Sequence, residues 1–182
     1  MKGVVFTEFL DLVEEKFSLA TVDQIVTESA VASGGAYTAV GTYPAAEMWA
    51  LVRALHGATG VPVPTLMETF GAHLFGRLAA GYPAFVNAVS DPFALLTSVE
   101  GFIHVEVRKL YPDAELPTLD ARSVGPRAME LTYRSPRGLA DLAVGLIRGC
   151  FSHYGVPFEM TREDLDGAQG TAVRFSLRRL DA

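Results

Sequence analysis

The spacing of apolar residues changes once along this chain, and that change constrains the fold more than any other feature. Over about 3–110 they recur every three or four positions. Val4, Val5, Phe9, Leu12, Val13 and Phe17 predict an amphipathic helix over about 3–17. A second helix is expected over about 21–32, with Thr21 as N-cap and Ser33-Gly34-Gly35 as stop. After a loop at 36–43, Pro44 opens a helix that runs to about His56, and Gly57 and Gly60 close it. Leu66, Phe70, His73, Leu74 and Leu78 mark the next, over about 64–78, before a Gly81-Tyr82-Pro83 break. Asp91 and Pro92 supply an N-cap and first turn for a helix to about Leu110, ended by Tyr111-Pro112. Beyond that point Met129, Leu131 and Tyr133 alternate with Glu130 and Thr132, as do Val173, Phe175 and Leu177 with Arg174 and Ser176. Between these strands Ser135-Pro136 reads as N-cap and first turn of a further helix. Its buried stripe is Leu139, Leu142, Ala143, Leu146, Ile147, Cys150 and Tyr154. Helices first, then strands around one helix, predict an α+β fold with an antiparallel sheet. Glycines and prolines cluster at 57–64, where a boundary between an N-terminal lobe of about 1–60 and a C-terminal lobe of about 61–182 is expected.

Composition removes several function classes. A chain of 182 residues with 49% hydrophobic and 20% charged residues holds enough apolar material for a core, which excludes disordered and fibrous architectures. A net charge of −6 and a pI of about 5.2 do not suit a nucleic-acid binder. The single cysteine, Cys150, excludes an internal disulfide framework and a site built from several thiolates of one chain. No secretory leader is read after Met1-Lys2-Gly3, because Glu8, Asp11, Glu14 and Glu15 interrupt the stretch. No run of 18 apolar residues reads as a membrane span, so a reduced cytoplasm is the expected location. Mean hydropathy is +0.25, high for a soluble chain, which calls for a large core or for something apolar to be wrapped.

Two groups of residues carry chemistry. None of the four histidines, His56, His73, His104 and His153, has the spacing of a two-histidine metal site. His104 lies late in the 91–110 helix, with Gly101 one turn before it leaving room for a flat group, and a neutral imidazole is a good axial ligand for haem iron. A capped or partly exposed histidine fits the same position. Tyr133, Ser135 and Arg137 alternate, so an extended segment turns all three to one side. Two hydroxyls and a guanidinium at a helix N-terminus suit a carboxylate. The alternative has Ser135 as a simple cap, Tyr133 in the core and Arg137 solvated.

The lone histidine and the downstream Tyr-x-Ser-x-Arg, taken together, resemble the haem nitric oxide/oxygen-binding (H-NOX) family, related to the regulatory domain of soluble guanylate cyclase. The resemblance runs from Met1-Lys2-Gly3 to the C-terminal strands. Its specific part is Tyr133-Arg134-Ser135-Pro136-Arg137, about thirty residues after Phe102-Ile103-His104-Val105-Glu106-Val107, with Tyr111-Pro112-Asp113-Ala114-Glu115-Leu116-Pro117 between, as in stand-alone proteobacterial members. The resemblance implies a b-type haem between a helical lobe and a lobe with a four-stranded antiparallel sheet. His104 would be the proximal ligand, Tyr133, Ser135 and Arg137 the propionate binders, and Pro117 a contact that distorts the porphyrin. It also implies a sensor rather than an enzyme: nitric oxide (NO) weakens the iron–histidine bond and the lobes shift. Output would go to a separate sensor histidine kinase or a cyclic-di-GMP synthase or phosphodiesterase.

The same matching bears on the gas. Oxygen-binding members carry a distal tyrosine five positions beyond the motif arginine, and Leu142 stands there. The other distal positions implied are Val5, Phe9, Leu74, Phe75, Leu78 and Leu146, and none donates a hydrogen bond. NO and CO are therefore expected to bind and O2 not to. His73, next to Leu74, is the residue that reverses this expectation if it reaches the pocket. The cysteine cluster of some relatives is missing, and Cys150 falls on a buried stripe as an inert thiol. A haem-free binder of small carboxylates is the rival reading of Arg137.

Overall fold

The computed structural model describes residues 1–180. Four helices come first: α1 (Gly3–Lys16), α2 (Leu19–Ser29), α3 (Ala45–Thr59) and α4 (Val63–Gly81). Short α5 (Pro83–Asn87) and α6 (Pro92–Ser98) follow, then a π-helical segment (Val99–Ile103) that runs straight into α7 (His104–Leu110). The chain closes with β1 (Thr118–Gly125), β2 (Ala128–Arg134), α8 (Ala140–His153), β3 (Phe158–Asp164) and β4 (Ala172–Arg179). The sheet order is β1-β2-β4-β3 and every neighbouring pair is antiparallel. Helix α8 makes the crossover from β2, and the expected α+β architecture with a four-stranded antiparallel sheet is what is seen.

Three local expectations are corrected. Helix α2 starts at Leu19 rather than at 21, because Ser18 caps it: the Ser18 Oγ accepts from the Thr21 amide at 3.1 Å. It ends at Ala30, in a left-handed conformation, before the glycine pair. The single helix expected over 91–110 opens as read, with Asp91 Oδ1 accepting from the amides of Phe93 and Ala94, but is interrupted by the π segment. Ser135 does not cap a helix. Gly138 at φ +66° turns the chain, and α8 begins at Ala140.

Two apolar cores are packed side by side. The first joins Phe6, Phe9, Leu12 and Val13 of α1 to Ile25, Met48, Leu51, Val52 and Leu55, with Leu66, Met67, Phe70 and Leu74 of α4 and Leu139 and Leu142. The second covers the inner sheet face (Met129, Leu131, Tyr133, Val173, Phe175, Leu177) with Ala143, Val144, Ile147, Cys150 and Phe151 of α8. Helices α4 and α8 serve both cores, one on each flank. They approach backbone to backbone through glycine. A Cβ on Gly71 would strike the Leu142 carbonyl oxygen and sit 2.8 Å from Gly145 Cα; one on Gly149 would sit 2.7 Å from Phe75 Cβ. Only hydrogen side chains permit that approach. No helix among the described residues is long and apolar enough to cross a membrane.

Candidate functional site

His104 is the first residue after the π segment and is 8% exposed. A π turn holds one residue more than an α turn, so it rotates everything after it by roughly 100° about the axis. That rotation fixes the direction of His104 relative to Leu95 and Leu96 of α6, which lie in the second core. The imidazole Nδ1 stands 3.0 Å from Glu100 Oε2. The same carboxylate accepts from the amide of Leu119 on β1 at 3.2 Å, while its other oxygen meets Arg108 Nη2 at 3.5 Å. Burial alone would push the Glu100 carboxyl up, but the bonds from His104 and Leu119 outweigh it and hold it below the usual range. Burial also lowers the His104 pKa, against the opposing pull of Glu100. Facing a carboxylate, Nδ1 is the donor of this pair, and among the described residues Nε2 has no hydrogen-bond partner and is left for another ligand. That is the donor arrangement metal-bound histidines use, with a carboxylate behind the ring raising its basicity. Beside it, a Cβ added to Gly101 would meet nothing within 4 Å. The residues present fit an axial ligand for a flat metal cofactor. Among the described residues, no three His, Cys, Asp or Glu side chains are placed to share a metal ion.

The second group forms at the end of β2. Tyr133 and Ser135 are both 4% exposed. Burial raises the Tyr133 phenol pKa, so the hydroxyl stays a donor. Ser135 Oγ accepts from both the amide and the Nε of Arg137 at 3.3 Å, which folds the guanidinium back over the serine. The Arg137 charge also contributes to lowering the His104 pKa, so the two groups lie within electrostatic reach. Tyr133, Ser135 and Arg137 thus form one donor set with a net positive charge, the chemistry a carboxylate or a propionate arm requires. The expected helix N-terminus is not part of it, because α8 starts beyond Gly138. Pro117 is half-buried on the segment that leads into β1.

The residues expected on the distal side fall in several places. Phe9, Leu74 and Leu142 share the first core, with Val5 and Leu146 packed against it. Phe75 points the other way on α4: it packs on the second core, its ring 5.8 Å from that of His153. Leu78 is 37% exposed, next to Val4, Glu8 and Tyr82. His73 turns to α1, where its buried Nε2 lies 3.5 Å from Glu8 Oε2 without a hydrogen bond, that oxygen accepting instead from Arg77 Nε at 2.7 Å. Cys150 is buried with its thiol pushed up to about 12 by desolvation, so it carries no thiolate. Sequence spacing missed the role of Glu100, whose carboxylate joins the histidine to the sheet. The i, i+4 interval was the one available signal.

The family model "Haem-NO-binding" matches residues 2–162. The chain is 40% identical to the Fe(II) unliganded H-NOX protein from K. algicida, covering 100% of this chain and 98% of that one at a TM-score of 0.94. It is 38% identical to the H-NOX of Shewanella woodyi, solved with IWP-051 in the Fe(II)CO state, covering 99% and 95% at a TM-score of 0.84. An H-NOX protein from S. oneidensis in the Fe(II)NO state shares the fold, at a TM-score of 0.91 and 23% identity over 100% of both chains. No curated protein matches this chain. With the family model spanning most of its length and an α+β fold superposing on these structures, the chain belongs to the H-NOX family of haem-based gas-sensing domains.

Proposed function

We propose that this protein is a cytoplasmic sensor of nitric oxide that also binds carbon monoxide, excludes dioxygen and signals to a separate effector. The cofactor is haem b, held between a helical lobe of about 1–60 and a C-terminal lobe of about 61–182. When bound, its ferrous iron supplies the site at which a diatomic gas coordinates. His104 offers Nε2 as the proximal donor, with Glu100 fixing its tautomer and strengthening it as a ligand. Tyr133, Ser135 and Arg137 hold the propionates, and Pro117 bears on the ring. The ligand sets of the S. woodyi and S. oneidensis relatives, CO and NO, support the choice of gases.

Selectivity rests on one observation. Val5, Phe9, Leu74, Leu142 and Leu146 meet in or on a single apolar core and carry no hydrogen-bond donor; of the donors around that core, Trp49, Tyr37 and Tyr43 give theirs to Arg137, Glu47 and Ala36, and His73 faces Glu8. Dioxygen bound to ferrous iron places partial negative charge on its outer oxygen and gains from a donor; NO gains little. A hydrocarbon wall therefore discriminates against O2 without blocking it. A change at His104 reaches the sheet through Glu100 and the Leu119 amide, which gives the histidine a path to the molecular surface. The partner is a sensor histidine kinase or an enzyme that makes or degrades cyclic-di-GMP. The test is the absorption spectrum of the ferrous protein in air and then under NO. A Soret band unmoved by air and shifted by NO is expected. A stable oxy spectrum overturns the selectivity and points to His73. A colourless protein after reconstitution with hemin overturns the haem reading in favour of a binder of small carboxylates at Arg137.

A further inference from the structure

The turn that carries Arg137 is held from two sides. On the sheet side, the Ser135 amide donates to the Thr171 carbonyl at 2.8 Å. Gly138, at φ +66°, lies so close to the β3–β4 connection that a Cβ there would be 3.0 Å from the Gln169 oxygen. On the helical side, the indole Nε1–H of Trp49, on α3, donates to the carbonyl oxygen of Arg137 at 2.9 Å across 88 residues of sequence. Trp49 is the chain's single tryptophan. The core-facing side of α3 is already supplied by Met48, Leu51, Val52 and Leu55, all 2% exposed or less, and Trp49 only packs against that core. Its large ring thus spans the seam between α3 and the Arg137 turn. The carbonyl it bonds belongs to the residue whose side chain closes back on Ser135 through Nε at 3.3 Å. Fixing that peptide fixes the root of the guanidinium.

We propose that Trp49 is a positioning residue for the propionate site: its indole N–H anchors the Arg137 peptide to α3 and so aims the guanidinium at the carboxylate that Tyr133 and Ser135 also address. The proposal rests on Arg137 being a propionate binder. A backbone carbonyl with one fixed donor loses much of its orientational freedom, and a single neutral hydrogen bond changes an equilibrium by roughly three- to tenfold.

The experiment measures the rate of haem transfer from the holoprotein to excess apomyoglobin in a double-mutant cycle. Trp49→Phe keeps the ring and removes the donor, and transfer should be about three- to tenfold faster than in the parent. Arg137→Ala alone should also speed transfer. In the Arg137→Ala background, Trp49→Phe should add nothing, because the group it aims is gone. Equal acceleration in both backgrounds would make Trp49 an ordinary packing residue and overturn the proposal, as would no acceleration in the single variant. Unchanged transfer in Arg137→Ala alone would remove the propionate role itself, and the proposal with it. In the haem-free protein the lone indole N–H should show one slowly exchanging proton resonance. Exchange at the rate of a solvated indole would equally overturn the anchoring.

Discussion

At the scale of single residues, the proposed sensor asks opposite surroundings of His104 and Leu142. His104 Nε2 must keep its lone pair, which the Glu100 bond to Nδ1 secures from behind. On the proposed gas side, Leu142 must not donate, and it is buried among carbon in the first core. Replacing Leu142 by Tyr introduces one phenolic donor. A hydrogen bond to a group with ionic character contributes about 1.5–3 kcal/mol, so O2 release should slow by roughly ten- to a hundredfold. Absorption spectra in air, with Leu142→Phe as the control for ring size, check this: the tyrosine variant should form a stable oxy species and the phenylalanine variant none. Both residues were singled out by the H-NOX resemblance, from their intervals to the Tyr133–Arg137 motif, and the structure places His104 beside Glu100 and Leu142 in the first core. The partner of the imidazole was not legible in the sequence, because an i, i+4 glutamate occurs on many solvated helix faces.

At the scale of elements, the close contact of α4 with α8 joins the two cores, and the β3–β4 connection supports the Ser135–Gly138 turn. Gly145 has no room for a side chain: a Cβ would lie 2.7 Å from Gly71 Cα and 2.9 Å from the Ala72 nitrogen. Gly145→Ala should therefore cost about 1–3 kcal/mol, and a thermal melt should show a midpoint lower by about 3–10 °C. In the β3–β4 connection, Asp166 accepts from the amides of Thr171 and Ala172 at 2.6 and 2.9 Å and from the Thr171 hydroxyl, which brings its pKa down to about 2 from 3.8. Because the folded value is the lower one, the stabilisation is complete above 3.8 and is lost as the pH falls through about 2. NMR titration should show the Thr171 and Ala172 amides moving with a midpoint of about 2, and Asp166→Asn should abolish that transition while loosening the Ser135–Gly138 turn that leans on it. Helices α1, α3 and α4 and strands β2 and β4 were readable because each buries one face. Edge strands β1 and β3 were not, since each has a neighbour on one side only and leaves most of its residues exposed or half-exposed.

At the scale of the molecule, two cores share the α4–α8 pair, and the cofactor proposed between them adds to the buried apolar surface. Binding to the folded state alone raises stability by RT ln(1 + [L]/Kd), or ~2.7 kcal/mol at a hundredfold excess over Kd. The holoprotein should melt about 5–10 °C above the apoprotein. In His104→Gly the difference should vanish and return when imidazole is supplied in solution; differential scanning calorimetry reads all three states. A melting point that still rises with hemin in His104→Gly without imidazole would place the ligand elsewhere.

The sequence by itself determined the succession of helices and strands and held the Tyr-x-Ser-x-Arg motif downstream of His104 that carries the family resemblance. The first is a property of local periodicity and the second of motif order along the chain, and both survive without coordinates. Only the tertiary structure decided how the elements are aimed: the π turn that rotates His104, the glycine contacts that seat α4 against α8, and the split of Leu74 and Phe75 between different cores. It alone brought Trp49 to Arg137 and Leu119 to Glu100. Each of these arises where segments far apart in the chain compete for the same space, and the outcome depends on packing and hydrogen-bond satisfaction that no local stretch of sequence encodes.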